Sequence, residues 1–105
     1  MENFSSVFVT SATQEEAEKI ALTMIEEKLT ACANIMPRVK SIYRWQRKIE
    51  KSDECVLILK IKSENFDALQ KRINDIHSYE CSCIVAWPIV ASGPDFLKWL
   101  GDAHS

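Results

Sequence analysis

The chain has 105 residues, of which 47% are hydrophobic, with 13 basic and 15 acidic residues and a net charge of −2. That length fits one domain spanning 1–105, with enough apolar content for a core, although a domain of this size buries only ~60–65% of its unfolded surface and gains from association. The composition excludes a disordered chain, and the charge balance offers nothing to a phosphate backbone, so nucleic acid is not an expected partner.

In chain order, the N-terminal stretch MENFSSVFVT has no basic region and no long apolar run, so it does not read as a signal peptide. No later segment approaches the ~20 apolar residues of a membrane span. The expected compartment is therefore the cytoplasm, where Cys32, Cys55, Cys81 and Cys83 stay reduced. Residues 5–12 are short, β-branched and apolar, and predict a first strand. Thr13 followed by Glu16 fits a capping box, and Ala17, Ile20, Ala21, Met24, Ile25 and Leu29 recur at helical spacing, so the first helix is expected at about 14–29. A long strand over 31–45 should bend at Pro37, which cannot donate to a ladder. Beyond that bend Val39, Ser41, Tyr43 and Trp45 share a face, with Lys40, Ile42 and Arg44 on the other. The polar run QRKIEKSDE reads as the hairpin connection, and 55–62 as the next strand, with Cys55, Leu57, Leu59 and Ile61 on one side.

Ser63 is placed to cap a second helix carrying Phe66, Leu69, Ile73 and Ile76 on one stripe. Residues 83–90 predict a last strand, with Trp87 in the core, and GPDFLKWL a short terminal helix with Pro94 in its first turn. The order β-α-β-β-α-β plus a terminal helix is the α+β, ferredoxin-like split βαβ plan, an antiparallel sheet with two helices on one face. Val56, Ile58 and both parities of IVAWPIV make the second face apolar as well. Such a face expects cover, and we expect a homo-oligomer packed sheet to sheet.

The blocks EKLTACANIMP, SIYRWQRKIE, HSYECSCIVAWPI and GPDFLKWL, in that order over about Val7 to Leu100, resemble the CutA family of divalent-cation tolerance proteins. The resemblance implies a ferredoxin-like fold, a tight homotrimer that supplies the missing cover, and an architecture like the PII signalling proteins, with ligand clefts between subunits. Where that family reads His-Pro-Tyr-Glu, a residue and then Pro-Glu, this chain has Ser78, Ser82 and Cys83, and Arg47 stands where a glycine often follows.

Two constellations stand out. His77, Glu80, Cys81 and Cys83 combine an imidazole, a carboxylate and two thiols, a set suited to Cu2+, Cu+ or Zn2+. In an extended segment the two thiols fall on one side, ~6.6 Å apart. The resemblance implies a ligand role for His77 alone. The bland alternative is that both cysteines are small strand residues and His77 ends a helix. The second constellation is Tyr43, Arg44, Trp45, Lys48, Tyr79 and Glu80, aromatic groups with charges such as line a small-molecule site. The resemblance puts the counterparts of Trp45, Tyr79 and Glu80 near the intersubunit cleft, although aromatic residues also build plain subunit contacts. There is no Gly-rich phosphate loop or nucleophile elbow, so neither an enzyme nor an organic cofactor is expected. The reading that results is a copper-binding tolerance protein without catalysis. Its alternative is a PII-like signalling or scaffold trimer that holds a small ligand or an unidentified protein partner in its clefts.

Overall fold

The computed structural model describes residues 3–104, so residues 1, 2 and 105 of the expected 1–105 unit lie outside the described residues. The elements are β1 (Phe4–Ser11), α1 (Gln14–Glu26), β2 (Cys32–Trp45), β3 (Lys48–Lys62), α2 (Phe66–Ile76), β4 (Ile84–Pro88) and α3 (Pro94–Ala103), with one 3-10 turn at Ser63–Asn65 ahead of α2. The four strands form one sheet in the order β2-β3-β1-β4, and every neighbouring pair is antiparallel. This is the α+β, split βαβ arrangement expected from the element order.

Both helices pack on one face. Val7 and Val9 of β1 and Leu57, Leu59 and Ile61 of β3 meet Ile20, Met24, Leu69 and Ile73 in a core with no solvent exposure. Strand parity explains the selection, because these odd positions all project to the same side. The capping box forms. The Glu16 N–H donates to Thr13 Oγ1 at 3.1 Å, while the Glu16 carboxylate accepts from the Ala12 N–H at 3.3 Å, one residue beyond the usual partner. The helix stops at Glu26 rather than near 29, because Lys28 turns left-handed at φ 59 and Leu29 and Thr30 both donate back to the Met24 carbonyl. Ile25, expected on the buried stripe, is exposed.

Pro37 does break the β2 ladder: the register shifts between Met36 and Val39, and the Cys55 thiol donates to the Pro37 carbonyl at 3.0 Å. The connection after β2 is much shorter than QRKIEKSDE. Only Gln46 and Arg47 turn, both left-handed at φ 50 and 68, and β3 begins at Lys48. This is a two-residue hairpin without the glycine or asparagine that normally announces one. Its strands are solvated on both sides, so their polar sequence masked the pattern. The hairpin projects past the helices and stretches the molecule to 44 Å along its long axis.

Ser63 does not cap α2. Its hydroxyl lies 2.6 Å from the Ser5 hydroxyl, and α2 starts without a side-chain cap. The last strand is shorter than 83–90 and leaves Cys81 and Cys83 in the irregular segment before it. Trp87, expected in the core, is 52% exposed on the second face, where it meets Phe8 edge-on. Val85, on the same side, is also exposed. The terminal helix covers one end of that face: Lys60 lies over the Phe96 ring, and the Phe4 ring sits 6.1 Å from that of His104.

Candidate functional site

The bulge at Pro37 and the segment between α2 and β4 face each other across the open side of the sheet. Between them lies a cleft of about 550 Å³ with Phe8 and Thr10 in its floor, Tyr43 and Trp45 on the hairpin side and Tyr79, Glu80, Cys81 and Cys83 opposite. Glu54 enters from β3. It pairs with Val39 just past the bulge, and so shares the face of Val39, Ser41, Tyr43 and Trp45.

His77 organises the corner. Its side chain is fully buried. Its Nε2 lies 2.7 Å from the Thr10 carbonyl, and its Nδ1 accepts the Tyr79 N–H at 3.0 Å. A nitrogen that accepts carries no proton, so Nε2 is the donor to Thr10. The ring also packs against that of Tyr79, with centroids 4.7 Å apart. Glu16 ties the same corner to α1, accepting the Ser78 N–H at 2.9 Å. Burial pushes the Glu16 carboxyl up, but the hydrogen bonds from Ser78 and Ala12 and the nearby His77 outweigh it and hold the group below its ordinary value.

With the corner held, the Tyr79 hydroxyl reaches across the cleft and donates to Glu54 Oε2 at 2.6 Å. Burial raises the Tyr79 phenol, and the Glu54 carboxylate raises it further, so it stays protonated and donating. Burial also raises the Cys83 thiol, helped by the Glu54 charge and Cys81 and opposed by a hydrogen bond with Thr10. Cys81 and Cys83 are both free and exposed, and both line the cleft.

Of the residues proposed for a metal, the fold brings Glu80, Cys81 and Cys83 to the cleft and leaves His77 out. Both of its nitrogens are engaged, so a metal bond would have to displace the Thr10 or Tyr79 contact. Among the described residues no group of three or more His, Cys, Asp or Glu side chains is set to hold a metal ion. The expected four-ligand set therefore does not fit. Of the cleft residues proposed, Tyr43, Trp45, Tyr79 and Glu80 line the space, while Lys48 closes the hairpin opposite Trp45 and does not. Reasoning from sequence missed Glu54, Thr10 and Glu16. Glu54 was hidden in the charged run taken for a connection. Its one available signal was its even-numbered place in line with Val56 and Ile58.

No helix among the described residues is long and apolar enough to cross a membrane. Residues 5–103 match the family model described as CutA1 divalent ion tolerance protein. The Protein CutA homolog of Xenopus laevis is 36% identical over 95% of this chain, which spans 66% of that protein's length. The divalent-cation tolerance protein CutA of Archaeoglobus fulgidus is 40% identical over 97% of both chains. A solved structure of the same organism's protein, described as the periplasmic divalent cation tolerance protein CutA, superimposes with a TM-score of 0.91 at 38% identity, covering all of both chains. With a family match over nearly its whole length and the same fold, the chain belongs to the CutA1 divalent ion tolerance family.

Proposed function

We propose that the chain acts in divalent-cation tolerance as a non-enzymatic homotrimer in the cytoplasm, and that copper is taken by the Cys81 and Cys83 thiols at the mouth of the cleft. The observation that carries this reading is that both thiols are free, exposed and on the same cleft, while His77 is tied off inside the fold. Thiolates favour soft ions. Cu+ is the candidate that two thiolates can hold without a third protein ligand, which suits a site where His77 does not take part, and Glu80 lines the same cleft. The trimer is supported by the exposed Val85 and Trp87, beside Phe8 on a face that α3 covers only at one end.

The test is Cu+ titration of the reduced protein against a competing chelator. The expected result is uptake by the parent protein and by His77→Gln, and loss of uptake when Cys81 and Cys83 are both changed to Ser. Unchanged uptake in the double Ser variant overturns the site. Sedimentation showing a folded single chain at micromolar concentration overturns the trimer.

A second reading is favoured by the cleft itself, whose aromatic walls and volume of about 550 Å³ fall in the range of small-molecule sites. In it the protein holds an organic ligand or a partner protein beside Tyr43, Trp45 and Tyr79, and metal contacts at the thiols are incidental.

A further inference from the structure

The cleft holds a sheltered carboxylate with one oxygen open to it. Glu54 is only 9% exposed, yet among the described residues the one buried side-chain atom without a partner is His104 Nε2, so Glu54 Oε1 still meets water in the cleft, and a carboxylate this sheltered favours a counter-charge. Tyr79 supplies one hydrogen bond, to Oε2. Among the described residues nothing donates to Oε1. Arg38 and Lys40 both pair with Asp53, on the opposite face of the hairpin. No lysine, arginine or histidine lines the cleft, and its only other formal charge is a second carboxylate, Glu80.

The surroundings of that carboxylate decide what would answer it. Phe8, Tyr43, Trp45 and Tyr79 border the space, and ring faces attract a cation. The volume is far larger than a bare metal ion needs, and no three-ligand cage is present among the described residues. An inorganic cation would find Glu54, Glu80 and the thiols in no shared three-ligand set, beside a set of rings. A cation that carries its own apolar body would satisfy both carboxylate and rings.

We propose that the cleft binds a small organic ammonium compound, an amine or quaternary ammonium with an aromatic or alkyl body, with Glu54 as its counter-charge and the rings of Tyr43 and Trp45 as its walls. This rests on the ligand-cleft reading and adds the chemical class of the ligand. Tyr79 acts as a positioning residue: its hydroxyl occupies Oε2 and leaves Oε1 to face the ligand. Cys81 and Cys83 line the same cleft, so the thiols stay in place and metal is kept out of the test.

The experiment uses the full chain, reduced and free of added metal, titrated with benzylammonium, benzyl alcohol and benzoate by calorimetry and by NMR of the tyrosine and tryptophan side chains. The expected result is that benzylammonium binds roughly tenfold or more tighter than benzyl alcohol, the scale of a desolvated cation–π contact combined with a charge pair, while benzoate does not bind. Glu54→Gln keeps an oxygen for Tyr79 and should fold. It is expected to bring benzylammonium down to the level of the alcohol, and Tyr43→Leu to weaken both probes. If the alcohol and the ammonium bind equally and Glu54→Gln changes neither, the charge assignment is overturned while the cleft reading stands. If no probe binds at millimolar concentration, as when another copy of the chain fills the space, both fall.

Discussion

Val7 and Phe8 are neighbours on β1, yet Val7 lies under the helices with no exposure, while Phe8 faces the other way and meets Trp87 edge-on. The same contrast runs through the sheet. Leu57, Leu59 and Ile61 are wholly buried on the helix-covered face, whereas Val85 and Trp87 are 44% and 52% exposed on the other. Both sets of side chains are apolar, and they differ only in parity. What separates them is that one chain has two helices for one face and only a ten-residue α3 for the end of the other. The covered face supplies the stability of the chain. The open face keeps Val85 and Trp87 in contact with water.

The comparison can be broken at several points. Leu57→Ala removes a fully buried side chain from the covered face and is expected to cost about 2–5 kcal/mol in urea unfolding. A loss well under ~1 kcal/mol would mean that stability does not reside there. His77→Ala leaves the Thr10 carbonyl and Tyr79 N–H without their partner. It is expected to cost about 1–3 kcal/mol and to release Tyr79 from Glu54, visible as a shift in the Tyr79 ring signals. An unmoved ring would show that the corner is held by other contacts.

Thr13→Ala removes the cap on α1 and is expected to cost about 1 kcal/mol, read as a lower denaturation midpoint with an unchanged slope. Acid acts on the same corner through Glu16. Its carboxyl is held below the ordinary value of 4.5, so its contribution is fully present above that pH and fades as pH falls through the lowered value. Exchange of the Ser78 amide should quicken over that interval, and Glu16→Gln should flatten the response. The smallest effect on the fold of the chain is expected from Trp87→Glu, about 0.5 kcal/mol or less for an exposed position. The same change should drop the sedimenting mass to a single chain. If the mass stays that of an assembly, the open face is not its contact.

Much of this architecture is legible in the sequence because it depends on local rules. The Thr13 and Glu16 cap, the stripe of Ala17, Ile20, Ala21 and Met24, and the break at Pro37 all follow from residue type and spacing over a few positions. The β2–β3 hairpin was not legible, because Gln46 and Arg47 carry no turn signature and the strands on either side are solvated. The site was legible only in outline. Tyr43, Trp45, Tyr79, Glu80, Cys81 and Cys83 do converge, but they come from segments more than thirty residues apart, and Glu54, the group they converge on, looked like part of a loop.

His77 marks the limit most clearly. As a residue type beside two cysteines it reads as a ligand, and nothing in its neighbours says otherwise. Its role depends on the Thr10 carbonyl, 67 positions earlier, and on the backbone of Tyr79, which the α2-to-β4 turn brings under its ring. Residue order and periodicity by themselves determined the elements, their sequence and the two apolar faces of the sheet, since each depends on a pattern with period two or 3.6. Which face the helices covered, which carboxylate was buried and which imidazole was spoken for depended on groups far apart in the chain, so only the tertiary structure could decide them.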